Sequence, residues 1–407
     1  MEAIKELYLQ KCQDYVCEPI TSIIEALDAG RPLDVISLDG KSKELFNKRI
    51  QPMQVFALCE ALYEYDSLAV IRLSNNSLND MAAQALARLM QVNKSLKLLD
   101  LSRNDVTAAG AQALTEVLAR PEAGLQALVL RGNPLGDTGL LAIADMLRTN
   151  TSLTMLDLAD THCAIHPSPH APSPPPPLTN TSLTMLDLAD THCAIKGFIG
   201  IANALTDSNN TLQILDLEDA QLQAPQDSTY QHLCRMLCCN SALTELSLAK
   251  CRLVDSQLEL LVTYGFQRSQ STWTSLSLRG NRLSPFSGPT LERLVSHCPR
   301  LQRLNLASNA LGNDGAMALA RCLPACACLS ELDLRGNGIG DVGLAALAGA
   351  LPLVHTLELL TIWGNHFGPG ACRAIAEALG QPALARLRTD VRPYVVDGEH
   401  CLALQEV

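Results

Sequence analysis

The chain repeats itself. A unit LxxLxLxxN reads Leu68-Ile71-Leu73-Asn76, Leu96-Leu99-Leu101-Asn104 and Leu125-Leu128-Leu130-Asn133. It returns as Trp273-Leu276-Leu278-Asn281, Leu301-Leu304-Leu306-Asn309, Leu329-Leu332-Leu334-Asn337 and Leu357-Leu360-Ile362-Asn365. Weaker copies begin at Ile4, Leu33, Leu153, Leu183, Leu212, Leu243 and Leu384. Most starts lie 27 to 31 residues apart, with one step of 35 between Leu33 and Leu68. A self-similar period of this length means stacked units that share one core, because no single unit can bury its apolar face alone.

Each part of the unit has a physical role. The alternating leucines of LxL point to one face of a short strand. Stacked in parallel, such strands bury those leucines in one continuous spine. The Asn turns the chain, and its amide can satisfy backbone groups of neighbouring turns. Gly110, Gly139, Gly197, Gly315 and Gly343 each stand six residues after the Asn position. Apolar residues follow at helical spacing, as in Leu114/Leu118, Ile143/Leu147, Leu319/Leu323 and Leu347/Leu351. Acidic or hydroxyl residues such as Asp137, Thr138, Asp314 and Asp341 precede the Gly and suit a helix start. Each unit therefore reads strand, turn, helix, return.

With the pattern LxxLxLxxNxLxxxGxxxLxxxL at 28 or 29 residues, the chain resembles leucine-rich-repeat proteins of the ribonuclease-inhibitor type, from Ile4 to about Leu387. The resemblance implies an α/β solenoid, a horseshoe with parallel strands on the concave face and helices on the convex face. It also implies a reduced intracellular setting. Several units depart from the pattern: Cys12, Thr191, Ala220 and Cys251 stand where the Asn is expected. Residues 1–67 are read as irregular N-terminal repeats or a cap, 68–165 as regular repeats, 166–180 as a Pro-rich insert within a duplicated segment, 181–387 as further repeats and 388–407 as a C-terminal tail or cap. Either Ile4–Leu27 is itself the N-terminal cap or a natural segment precedes it, since terminal repeats need a polar outer face.

Composition narrows the class of function. The formal net charge is -11, which argues against direct nucleic-acid binding, because that needs a basic footprint on the phosphates. Fifteen Cys are scattered at no framework spacing, and the N-terminus has no cationic and apolar leader pattern. Both point to reduced thiols in the cytoplasm, nucleus or nucleolus. The most apolar window, Leu344 to Trp363, is broken by Pro352, His355 and Glu358 and follows the repeat, so it is read as core and not as a membrane span.

Residues 149–165 and 179–195 are identical, TNTSLTMLDLADTHCAI, with HPSPHAPSPPPPL between them. Diverged repeats share a pattern, not seventeen identical residues. This points to a recent duplication, or to a coding segment repeated across intronic sequence. The period of 30 is close to the repeat, so a solenoid can absorb the copy as an extra turn. The prolines favour polyproline II, read as an inert connector rather than an SH3 or WW ligand, and they forbid a helix after the first copy.

The positions between and just after the strand leucines face outward. Acidic residues gather at the centre: Asp157, Asp160, Asp187, Asp190, Asp216, Glu218 and Asp219. Arg72, Arg103, Arg131, Arg279 and Arg335 flank them, with Lys250 between, and Trp363 occupies the position held elsewhere by Arg131 and Arg335. Arg and Trp are enriched among interface hot spots, so a concave partner-binding surface is expected at Arg72, Arg103, Arg131, Asp157, Asp187, Asp216, Glu218, Asp219, Arg279, Arg335 and Trp363. The alternative is a solvated face, because LDL is a common form of the strand in the family it resembles. Trp363 could equally pack against a C-terminal cap.

Catalysis and metals find no pattern: GxSxG, GxxxxGK[ST] and HExxH are missing, and the clusters Cys234/Cys238/Cys239 and Cys322/Cys326/Cys328 lack zinc spacing. The expectation is a monomeric, non-enzymatic scaffold or adaptor, without cofactor or membrane contact, for a protein partner with a basic surface. Two alternatives come from resemblance alone. One is a GTPase-activating protein similar to the Ran GTPase activator, although the tail after Leu387 is short and only mildly acidic. The other is an enzyme inhibitor similar to ribonuclease inhibitor, although outward aromatics are few.

Overall fold

A computed structural model of the chain describes all residues except 44, 46–48, 162–179, 192–194, 221, 223–227, 270, 271 and 407. The Pro-rich insert lies outside the described residues apart from Asn180. So does the expectation that no helix follows the first copy. The chain divides into two compact units, Met1–Leu212 and Gln213–Val407.

The first unit carries six short strands: β1 (Val35–Ser37), β2 (Val70–Arg72), β3 (Leu98–Asp100), β4 (Ala127–Val129), β5 (Met155–Asp157) and β6 (Met185–Asp187). They pair in parallel and in chain order. The register sets Ile36, Ile71, Leu99, Leu128, Leu156 and Leu186 side by side, all buried. These are the middle leucines of LxxLxL, or the isoleucines in their place, so the alternation builds the spine. The duplicated block supplies β5 and β6, paired Met155 to Met185 and Asp157 to Asp187. The copy is thus taken up as a complete extra strand.

Helices α1 (Glu2–Asp14) and α2 (Thr21–Asp28) precede β1. The weak repeat start at Ile4 is therefore a helix and not a strand. Its residues Ile4, Tyr8 and Cys12 recur every four positions, and Tyr8 and Cys12 are buried, so helical periodicity overrides the loose LxxL match. The Tyr8 hydroxyl accepts a hydrogen bond from Ile20 N at 2.9 Å. Lys11 pairs with Glu60 at 2.7 Å, on a helix that follows β1, and Tyr15 donates to the same carboxylate at 2.5 Å. Those helices are α3 (Pro52–Ala61), α4 (Asp80–Val92), α5 (Ala108–Leu118), α6 (Gly136–Leu147) and α7 (Ile195–Ser208). Each packs against the next, and α7, which follows β6, lies directly on α6, which follows β4.

The second unit has β7 (Ile214–Asp216), β8 (Glu245–Ser247), β9 (Ser275–Ser277), β10 (Arg303–Asn305), β11 (Glu331–Asp333), β12 (Leu359–Thr361) and β13 (Arg388–Thr389), again parallel and sequential. Its helices are α8 (Ser228–Cys239), α9 (Asp255–Leu260), α10 (Gly288–His297), α11 (Gly312–Cys322), α12 (Asp341–Ala350) and α13 (Pro369–Leu379). One strand per repeat with helices between makes the fold a leucine-rich-repeat solenoid. A hairpin of β14 (Val391–Val396) and β15 (Glu399–Leu404) closes the chain against α13. Its turn uses Asp397 and Gly398, both at positive φ, as a two-residue hairpin turn requires. Just before it, the buried Asp390 accepts from Ile362 N at 2.8 Å and Trp363 N at 3.1 Å. Its carboxylate takes the Ile362 N–H that a backbone carbonyl of the next turn accepts elsewhere, as Thr361 O does from Leu334 N at 2.8 Å.

Buried Asn side chains lace the turns together. Asn104 accepts from the backbone N–H of Asn76 and Leu78, each at 3.0 Å, and donates to the carbonyls of Leu73 and Leu101, each at 2.9 Å. Asn133, Asn281, Asn337 and Asn365 donate in the same way to their own turn and the one before. Where Thr replaces the Asn the ladder thins among the described residues, Thr161 and Thr191 donating to Leu158 and Leu188 of their own turns, whereas the Cys251 thiol still reaches Leu217 O of the turn before at 3.0 Å. Glycine at the helix position lets adjacent helices touch. A Cβ on Gly110 would fall 2.6 Å from Asp80 Oδ1, and one on Gly343 would fall 2.9 Å from the Ala316 Cβ. The acid that the sequence assigns to a helix start serves its neighbour: Asp341 accepts from Gly368 N, Gly370 N and Ala371 N, at the beginning of α13.

Candidate functional site

The outward positions of each strand flank its buried leucine. In β5 these are Met155 and Asp157, both half-buried, with Leu156 wholly inside. The aspartates of the LDL strands have a local task. One carboxylate oxygen of Asp100, Asp157, Asp187, Asp216 and Asp333 accepts the backbone N–H two residues on, at 2.8 to 3.1 Å. This turn explains why a short acidic side chain recurs there. The second oxygen remains for other partners.

In the first unit that partner is Arg131. Its Nε donates to Asp157 Oδ2 at 3.0 Å and its Nη2 to Asp187 Oδ2 at 2.5 Å. Partial burial opposes the guanidinium charge, but the bonds to Asp157 and the nearby Asp187 outweigh it and hold the Arg131 pKa above its usual value. The duplication therefore gives Arg131 two equivalent carboxylates. Arg72 and Arg103 are exposed, the latter in a left-handed turn at φ 54°.

The seven central acids divide between the units: Asp157, Asp160, Asp187 and Asp190 in the first, Asp216, Glu218 and Asp219 in the second. In the second, Glu218 pairs with Lys250 at 2.6 Å. Arg335 binds Asp333 through two bonds, 3.0 and 2.6 Å. That pairing raises the Arg335 pKa; burial works against the Asp333 charge, yet Arg335 keeps the carboxyl below its usual range. Arg279 is exposed. Trp363 is 37% exposed, its ring 6.0 Å from that of Phe367. It follows β12, where its backbone N–H donates to Asp390, and it remains partly exposed.

Two features escaped the sequence reading. The first is an open groove of about 340 Å³ across β9–β12, lined by Ser275, Arg303, Glu331, Asp333, Arg335 and Thr361 among others. Arg303 lines it at one edge and reaches across β9, bonded to Ser275 at 3.3 Å and to Glu245 of β8 at 3.1 Å. The second is a row formed by the first outward residue of each strand in the first unit. It reads Val35, Val70, Leu98, Ala127, Met155 and Met185, in register on adjacent strands. All six are apolar, Val35 is 56% exposed and the others are half-buried. In the second unit the same row is mostly polar after Ile214, with Glu245, Ser275, Arg303 and Glu331 before the apolar Leu359. The signal was present at the residue before each middle leucine, but it shows only when the strands are aligned.

Among the described residues no three His, Cys, Asp or Glu side chains gather as metal ligands, and no helix is long and apolar enough to cross a membrane. The described cysteines are free thiols, and burial pushes those of Cys12, Cys234, Cys251, Cys298 and Cys322 up to about 12.

The leucine-rich-repeat family model matches residues 92–114, 125–144, 297–320 and 325–348. These segments lie in regular units of both halves. Among solved structures the chain is similar to an internalin from Listeria monocytogenes, at 17% identity over 84% of each chain with a TM-score of 0.46. It is also similar to actin-binding site 2 of leiomodin-1, at 21% identity over 35% of this chain and 80% of that one, with a TM-score of 0.30. No curated protein matches the chain.

Proposed function

We infer that this protein is a non-enzymatic scaffold or adaptor that holds a partner protein on its strand faces. The observation that carries this reading is the apolar row on the first unit. Six apolar side chains are fixed in a line on an outward face, where leaving them in water is unfavourable and covering them is worth roughly 25 cal/mol per Å². Beside them Arg131 is already ion-paired with Asp157 and Asp187, so little side-chain entropy is lost there on docking. An open face of this kind offers area rather than an enclosed pocket, and so suits a macromolecule better than a small substrate. The free thiols favour a reducing compartment, the cytoplasm or nucleus.

Affinity capture with the full chain tests the reading. Arg131→Ala, Arg279→Ala and Arg335→Ala combined should leave the fold intact and release the captured partner, while Arg88→Ala with Arg120→Ala, on the helix side, should retain it. Capture unchanged by the strand-face replacements, or lost equally with both sets, overturns it.

A further inference from the structure

We propose that the strand face of the first unit takes an amphipathic α-helix with one apolar stripe and a basic flank, laid across β1–β6. This rests on the protein-binding reading and adds the chemistry of the partner. The apolar row of Val35, Val70, Leu98, Ala127, Met155 and Met185 runs across the strands, one side chain per strand. Neighbouring strands lie about 4.8 Å apart, so consecutive members of the row repeat at that spacing. An α-helix presents a residue on one face every turn, about 5.4 Å. An extended peptide presents one every second residue, about 6.7 Å. The helical repeat lies much nearer the spacing of the row. Five strand gaps span about 24 Å, the length of a helix of about 16 residues. Pairing by an added strand is disfavoured here, because the row lies on the face of the sheet and the inner strands have already paired along both edges.

Charge fixes the flank. On the side where the strands run into their turns stand Asp39, Asp100, Asp157, Asp160, Asp187 and Asp190, against Arg72, Arg103 and Arg131. Six carboxylates face three guanidiniums, and one of those, Arg131, is shared between Asp157 and Asp187. The opposite side of the row, Asp34, Ala69, Lys97, Gln126, Thr154 and Thr184, carries one charge of each sign. A helix seated on the row therefore meets excess negative potential along one flank only. Lys or Arg placed there would be attracted, and Asp or Glu repelled.

The purified full chain would be titrated with a fluorescein-labelled peptide of about 18 residues, carrying one Leu stripe at helical spacing and Lys along one flank. Two controls share its length: one with Glu in place of Lys, and one with the Lys sequence scrambled. The Lys peptide should bind at least about tenfold tighter than either control at low salt, and the gap over the Glu peptide should close at high ionic strength. Met155→Glu with Met185→Glu, at positions already part-exposed, should weaken binding about tenfold. Asp160→Asn with Asp190→Asn removes two charges at left-handed positions that Asn tolerates, and should weaken it severalfold. Arg120→Glu, on the helix side, should leave it unchanged. Circular dichroism of each variant establishes that it is folded. Equal binding of the Lys and Glu peptides, equal binding of the scrambled peptide, or indifference to the Met replacements overturns the proposal. Failure of all peptides, with a captured partner still lost on strand-face replacement, removes the helix and leaves the protein-binding reading standing. Partner capture indifferent to the strand face removes that reading itself.

Discussion

Replacing Asn104 by Ala removes no apolar contact of note but strips four hydrogen bonds of 3.0 Å or less from the buried ladder. Asn104 is 4% exposed, and two of its partners, Asn76 and Leu78, are 1% and 0% exposed, so water cannot readily replace the amide. At about 1 kcal/mol net for each bond the loss comes to about 4 kcal/mol. The damage should be local, because a solenoid turn touches only its neighbours. Hydrogen exchange read by mass spectrometry is the direct assay. The Asn76 and Leu78 amides should exchange about a thousandfold faster, the equivalent of 4 kcal/mol, while segments near Asn309 and Asn337 stay as protected as before. Thr161 and Thr191 show what a hydroxyl can do at this position, a single bond to the carbonyl three residues back. Asn104→Thr should therefore fall between the parent and Asn104→Ala. If the Ala variant keeps its Asn76 and Leu78 protection, or if Thr is as damaging as Ala, the Asn ladder does not join the turns as described.

Two further outcomes follow from burial. Leu99→Asp, between Ile71 and Leu128, and Leu304→Asp, between Leu276 and Leu332, each place a carboxylate in the spine and should unfold the adjoining turns; a circular-dichroism melt matching the parent would refute this. Burial raises the Cys298 thiol to about 12, against about 8.5 in an unfolded chain, so the native state keeps a proton that the unfolded state releases. Its contribution is complete below about pH 8.5 and declines as pH rises towards 12, by up to about 1.4 kcal/mol per pH unit. Urea midpoints at pH 7 and pH 10 should show the drop, and Cys298→Ala should make it smaller; an identical drop in both proteins would count against the assignment.

The spine was legible in the sequence because burial acts on every middle leucine alike, and strands β1 to β12 begin two residues after successive repeat starts from Leu33 to Leu357; the start read at Leu384 is out of register, because β13 sets Thr389 rather than Leu387 beside Leu360 and Leu384 ends a short 3-10 turn. The misreading at Ile4 has a clear cause. IxxLxL is short enough to arise in a helix, and only the four-residue recurrence of Ile4, Tyr8 and Cys12 separates the two. The terminal hairpin was marked by Asp397-Gly398 between apolar runs, a turn signal that a repeat-centred reading passes over. Charges were legible in sign but not in pairing. That Arg131 joins two aspartates, or that Asp333 is held by Arg335, depends on which strands are neighbours. The apolar row was hidden for the same reason: Leu98 or Met155 alone resembles one more core residue, and its outward direction emerges from register.

Because β5 and β6 are spelled identically and pair residue for residue, the length of this molecule can change by a whole turn without any strand having to find a new kind of neighbour. A chain shortened by that turn would keep its spine, yet Arg131 would hold one carboxylate instead of two and the apolar line would lose a methionine. Gain or loss of a copied segment would thus act as a coarse adjustment of reach and charge on one face, made in a single genetic step and almost neutral for folding.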